Sequence, residues 1–336
     1  MKIVFVASGN KKGGNVTSFV RSQYESLQAE GLDMRLVPVK GHGIGAYLKT
    51  IWKLRQMIRK EHPDVIHAHY AMCGYAIAIA CMGMWHKPKK VVSLLGSFPT
   101  RNRKWKIVRH MMQHHWDATI VKSQRTADQL CLPVHVIPNG VNLDTFHPID
   151  YTTARKAVGF DEGVEIVKCK VESGKKYVIW CSNPERTCKN WPLAVESVRE
   201  LENERFGEFG KVELVAVYNK TPQEVATYMN ADDCLLLTSD SEGSPNVIKE
   251  AMACNCPIVT TDVGDVTERL HNLDGCYVVP GNELESERVR ELGNAIAKAI
   301  EFGKRTEGRK RIIEDRLEIS QIAKQIMEVY ELTCMV

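Results

Sequence analysis

From Leu235 to Ala253 an apolar run gives way to a short polar loop and then to a helical pattern, with carboxylates at Glu242 and Glu250. Ser244 has the chemistry of a helix N-cap and Pro245 that of a first helical residue. Backbone N–H groups around Gly243, Asn246 and Val247 then lie at the positive end of a helix dipole, which attracts anions. Glu250 lies about 7.5 Å further along the axis, five residues on at about 1.5 Å each. A pyrophosphate over the helix start would put its sugar near Glu242 and its nucleoside ribose near Glu250. A carboxylate accepts two hydroxyl hydrogen bonds, which suits a ribose diol. An ordinary capped helix with one exposed glutamate is the plainer alternative.

A leaving diphosphate needs cations. Arg186 and Lys189 follow an apolar run at Tyr177–Trp180 and precede a helical pattern, so they too fall at a strand end. Charge-assisted bonds to phosphate that tighten as the bond breaks stabilise a transition state. Near the N-terminus, the loop from Ser8 to Thr17 holds Gly9, Gly13 and Gly14. Gly9 and Gly14 have Walker A spacing, but Asn15 stands in place of the lysine, so the loop reads as a glycine turn that lets backbone approach a ligand. His67 and His69 would share one side of a strand. Without a third ligand nearby they read as a polar strand end, and Cys254 and Cys256 lack the second pair that zinc requires.

These residues need a frame. The 336 residues, 44% of them apolar, suit two domains. Six short β-branched runs before residue 138 alternate with helical patterns, which implies a parallel, doubly wound α/β sheet. Ile137-Pro-Asn-Gly140 is turn chemistry, and a second alternation of five strands starts at Tyr177. The expected division is 1–140, 141–310 and a closing helix over 311–336 that packs back towards the first domain, with a ligand cleft between two facing sheets.

Charge is unevenly divided. Residues 1–150 hold 21 Lys/Arg against 9 Asp/Glu, and the remainder 24 against 32. The basic excess gathers at Lys49–Lys60 and Arg101–His115, interleaved with Trp52, Trp105 and Trp116. Two solvated helix faces would explain this, as would a surface resting on anionic headgroups. No recognition motif for nucleic acid accompanies the charge. The apolar start is too short for a signal peptide. With eleven cysteines this suggests a reducing, cytoplasmic setting, on the inner face of the cytoplasmic membrane if the basic half binds headgroups.

The Glu242–Gly264 block, Val136–Phe146, Asp64–His69 and Gly13-Gly14 together resemble retaining glycosyltransferase family 4, over nearly the whole chain. The resemblance implies a GT-B fold of two facing Rossmann-like domains. It implies transfer from a UDP- or GDP-type nucleotide diphosphate-sugar to a glycan or lipid-linked acceptor, as in capsule or surface polysaccharide assembly. It puts Glu242 near the donor sugar, Glu250 on the ribose, and Arg186 and Lys189 on the diphosphate, with no metal cofactor. Gly13, Gly14 and Ser97 fall on the acceptor side. Leu95 stands where the family often has histidine, so no base is assigned there and His69 is the substitute candidate. Arg186 is shifted from the family's usual spacing, and a strand-helix unit after Val212–Val217 is missing. A GT-B epimerase and a non-catalytic sugar-nucleotide-binding subunit are the alternatives.

Overall fold

The computed structural model describes residues 1–9, 16–41, 43–96, 103–160, 175–205, 208–281 and 284–335. The chain forms two compact units, Met1–Gly140 with Ile319–Val336, and Val141–Glu318.

In the first unit the β-branched runs form β1 (Lys2–Ser8), β2 (Asp33–Val39), β3 (Val65–His69), β4 (Lys89–Ser93), β5 (Ala118–Val121) and β6 (His135–Val136). Between them lie α1 (Ser18–Ala29), α2 (Gly43–Glu61), α3 (Ala71–Cys81), α4 (Arg103–His114) and α5 (Gln124–Leu130). The strands pair in parallel in the order β2-β1-β3-β4-β5-β6. β3 is buried along its whole length, as a strand with both faces covered must be.

The second unit contains α6 (Tyr151–Val158), β7 (Lys176–Trp180), α7 (Trp191–Glu204), β8 (Val212–Ala216), α8 (Pro222–Ala231), β9 (Cys234–Leu237), α9 (Asn246–Ala253), β10 (Ile258–Thr261), α10 (Val266–Leu270), β11 (Cys276–Val279), α11 (Glu285–Phe302) and α12 (Gly308–Glu314). Its parallel sheet runs β11-β10-β9-β7-β8. β8 passes within a few residues into α8, so this sheet has one strand fewer than the first. Strand order reverses between β1 and β3 in one unit and between β7 and β9 in the other. Ligands of such sheets sit at the carboxyl ends beside that reversal.

Three readings of the sequence are corrected. The helices α6 and α10 were not expected. The closing stretch is two helices, because Arg316 takes a left-handed backbone (φ 53°) and ends α12. Only α13 (Ile319–Met335) belongs to the first unit, so the boundary falls at 319 rather than 311. Finally, Trp105 and Trp116 are buried in the first unit's core, the Trp116 indole donating to the Gly74 carbonyl at 3.1 Å. Of the three tryptophans in the basic stretches, only Trp52 is exposed.

α13 is held by a buried polar contact as well as by Ile322, Ile326 and Val329. Its Tyr330 hydroxyl lies 2.6 Å from His67 Nδ1, while His67 Nε2 lies 2.8 Å from Ser93 Oγ. One ring nitrogen donates and the other accepts, and burial holds the imidazole neutral. Tyr330→Phe leaves a fully buried nitrogen without a partner and should cost about 1–3 kcal/mol in denaturant unfolding. A change near zero would mean that apolar packing alone docks the helix.

Candidate functional site

The loops after β7 and β9 meet at the reversal of the second sheet. After β7 the chain makes a 3-10 turn, Thr187–Lys189, and Asn190 then caps α7 through its side chain. After β9, Thr238 receives the Trp180 indole N–H at 3.0 Å, and its hydroxyl lies 3.0 and 2.9 Å from the Lys189 and Asn190 carbonyls. The Asp240 amide donates to the Cys188 carbonyl at 3.1 Å, and Asn190 Nδ2 to Asp240 Oδ1 at 3.0 Å. These contacts bring together residues some fifty positions apart in sequence.

At the centre Lys189 forms an ion pair with Glu242, whose carboxylate also accepts the Ser239 hydroxyl at 2.9 Å. The two side chains are 13% and 18% exposed, so the pair is mostly buried but still reaches solvent. Arg186 is exposed on the same turn and makes no side-chain hydrogen bond or ion pair among the described residues.

The structure corrects the helix start. Pro245, in extended conformation, occupies the N-cap position of α9, no side chain caps the helix, and Asn246 is the first helical residue. Ser244 is buried and engaged elsewhere. Its hydroxyl donates to Asp265 Oδ2 at 2.8 Å and accepts from Lys249 Nζ at 2.7 Å. Asp265 in turn receives Arg269 Nε at 3.1 Å, and Arg269 reaches Asp315 at 3.2 Å. Buried Lys249 and Asp265 each need a partner, and Ser244 serves both. Gly243 presses against Gly264, where φ is +61° and an added Cβ would lie 2.7 Å from the Gly243 carbonyl oxygen. The loop before α9 is thus wedged from behind, and the first turn of the helix, whose N–H groups have no intrahelical acceptor, forms its positive dipole end. Val247, half-buried, follows in the first turn.

Glu250 lies one turn further on, half-buried, with no hydrogen-bond partner among the described residues. Burial pushes its carboxyl up to about 7, against the pull of Lys249 and Lys189. A carboxyl that folding holds protonated resists ionisation between its ordinary range and about pH 7. If the ionised form accepts a ligand's diol, affinity should rise with pH through about 7 and should lose that dependence in Glu250→Gln. A calorimetric pH series with a nucleoside diphosphate checks this, and a flat wild-type profile would show that Glu250 is not a ligand.

The remaining sites lie in the first unit. His67 and His69 do share one side of β3, their rings stacked at 4.5 Å. His69 is fully buried, with Nε2 3.1 Å from Gln23 Oε1, and burial pushes its pKa down to about 3. It is therefore a neutral core histidine, and the expectation that it faces a reacting centre is corrected. Gly13, Gly14 and Ser97 lie outside the described residues. Lys249, Asp265 and Gly264 were missed by sequence reasoning. A lysine within a helix's apolar face was the available signal.

Residues 8–145 match the model of Glycosyltransferase Family 4, and residues 175–301 that of Glycosyl transferases group 1. Two glycosyltransferase family models thus match successive parts of the chain. The chain is 27% identical over 264 residues to a D-inositol 3-phosphate glycosyltransferase of Pseudarthrobacter chlorophenolicus, covering 66% of this chain and 61% of that protein. It is 28% identical over 169 residues to the lipopolysaccharide core biosynthesis mannosyltransferase LpsB of Rhizobium meliloti, covering 45% of this chain and 47% of that one. The matched stretches thus span less than two thirds of either relative. Sucrose-phosphate synthase from Thermosynechococcus elongatus superposes with a TM-score of 0.75 at 16% identity, over 99% of both chains. Anabaena HepE in complex with UDP-glucose does so at 0.70 and 17%, over 98% of this chain and 99% of that one. These likenesses show the fold, two Rossmann-like parallel-sheet domains of the GT-B class.

Proposed function

We propose that the protein is a retaining glycosyltransferase moving a sugar from a UDP- or GDP-type donor to a glycan or lipid-linked oligosaccharide in surface polysaccharide assembly. The carrying observation is the cluster at the β7/β9 reversal: a Lys189–Glu242 pair, the start of α9 with no side-chain cap, and a Glu250 without a hydrogen-bond partner among the described residues. The UDP-glucose complex of HepE and the lipopolysaccharide role in the name of LpsB support the reading.

In this reading the start of α9 and the Gly243–Val247 backbone hold the diphosphate, and Glu250 holds the ribose. Lys189 and Arg186 offset the charge that grows on the diphosphate as its bond to the sugar breaks. The acceptor oxygen bonds the anomeric carbon on the face the diphosphate leaves, and the departing phosphate oxygen takes the acceptor's proton. That route needs no separate base, which agrees with Leu95 two residues past β4 and with His69 locked in the core. Because side chains and a helix end supply the charge, transfer should survive EDTA, and loss restored by a divalent ion would revise this.

Thermal-shift screening against UDP, GDP, ADP and their sugars is the direct test. A cognate nucleotide at 100 times its Kd stabilises by about 2.7 kcal/mol. Glu242→Ala should then bind nucleotide but transfer no sugar. A donor altered without any acceptor would instead identify an epimerase, and a binder with no turnover a non-catalytic subunit.

A further inference from the structure

The outer faces of α2 and α3 carry an apolar stripe that nothing among the described residues covers. On α2, Ile44, Leu48 and Trp52 recur every fourth residue and are 75%, 61% and 65% exposed. Residues at that spacing lie one above another on a single helix face. At the far end of α3, Ile79, Met82 and Trp85 are also exposed, Trp85 almost completely at 98%. The two sets adjoin. Arg55, one turn on from Trp52, donates to the carbonyls of Ala80 at 3.1 Å and Met82 at 2.7 Å. Further along, the His62 and His86 rings meet at 5.8 Å.

The rim of this stripe is basic. Lys49, Lys53 and Lys60 are exposed on the adjoining side of α2, and Lys87 follows Trp85. In α2 and α3 the one acidic residue is Glu61, and Arg35 and Lys2 already engage it. Singly scattered exposed apolar residues are ordinary, but a contiguous stripe with a cationic border marks an interaction surface.

We propose that this face docks on an anionic lipid bilayer, with Leu48, Trp52 and Trp85 entering the headgroup region and the lysines facing lipid phosphates. Charge complementarity selects this partner. A second copy of the chain would bring two cationic rims together, which like-charge repulsion opposes. Tryptophan suits the interface because its ring is apolar and its N–H polar. Among the described residues no helix is long and apolar enough to span a membrane, so the contact is one that lies on the surface. It stands independently of the nucleotide-site reading.

The test is co-sedimentation of the full chain with phosphatidylglycerol-containing vesicles, with phosphatidylcholine vesicles as control, over a salt series. Wild type should bind the anionic vesicles at low salt and release as salt rises. Lys49→Glu with Lys53→Glu should lower partitioning at least about tenfold, since each lysine near such a surface contributes about fivefold. Trp52→Ser with Trp85→Ser should lower it while leaving the salt dependence. All four positions are exposed, so melting temperatures should hold and separate lost docking from lost folding. The proposal fails if anionic and neutral vesicles bind alike, or if neither double variant differs from wild type. It fails equally if Trp52→Ser abolishes a concentration-dependent dimer, or if duplex DNA binds this face with no loss in the tryptophan variant.

Discussion

Lys189→Ala should lower kcat by about 10²–10³ while leaving the melting temperature almost unchanged. The two halves of that outcome have separate causes. Lys189 lies at the reversal of the second sheet beside the loop that leads into α9, and Glu242 already fixes it before any ligand arrives, so no reorganisation is needed when phosphate charge develops. Its loss removes an interaction made most strongly in the transition state, and kcat rather than KM should carry the effect. Stability should hold because the pair is partly solvated, where such pairs contribute about 0–1 kcal/mol. Glu242 would also keep the Ser239 hydroxyl. Lys189→Arg should recover only part of the rate, since a planar guanidinium cannot replace a compact ammonium in the same geometry. Steady-state kinetics with calorimetric melting checks both halves. A large fall in stability with unchanged kcat would make Lys189 a structural residue.

Lys249→Ala should do the opposite, costing about 3 kcal/mol of stability, or roughly 6–12 °C for a unit of this size. Lys249 is 1% exposed and its ammonium binds Ser244, which in turn holds Asp265. Without it Asp265 keeps Arg269, but Ser244 loses a donor and the cavity left by the stem has no occupant. Ser244 and Gly243 form the loop that leads into α9, so nucleotide affinity should fall as well. Lys249→Met fills the volume without the charge. Comparing the two variants by melting and nucleotide titration separates cavity from electrostatics. Equal losses would assign the whole effect to the missing ammonium.

The alternation of strands and helices was legible because parallel strands buried on both faces are written as short unbroken apolar runs. Every strand expected from such a run is present within two residues. α6 was missed because its signal is a polar cap, Asp150 accepting from Thr153, rather than an apolar face. Arg316 hid the break between α12 and α13, since nothing in a lone arginine announces a left-handed backbone. Ser244 shows a deeper limit. Its residue type satisfies every local rule for an N-cap, yet Asp265 and Lys249 bind its hydroxyl through contacts that exist only once β10 and α9 are packed. The tryptophans failed for the same reason: spacing placed them among cations, but only packing decided which point outward. Glu242, Lys189 and Glu250 were legible because their positions follow from strand ends and helical rise.

The first unit is closed by a helix that is made only after the whole of the second unit. Residues 1–140 emerge before the entire second unit, yet α1 and His67 find α13 only when 319–335 arrive. For the time needed to make some 180 intervening residues, at about 5–20 residues per second, the early unit carries an open apolar face. The second unit, contiguous in sequence, can fold meanwhile. The half made first is therefore the half finished last, and ribosome-bound chains stopped before residue 319 should recruit chaperones through the α1 face.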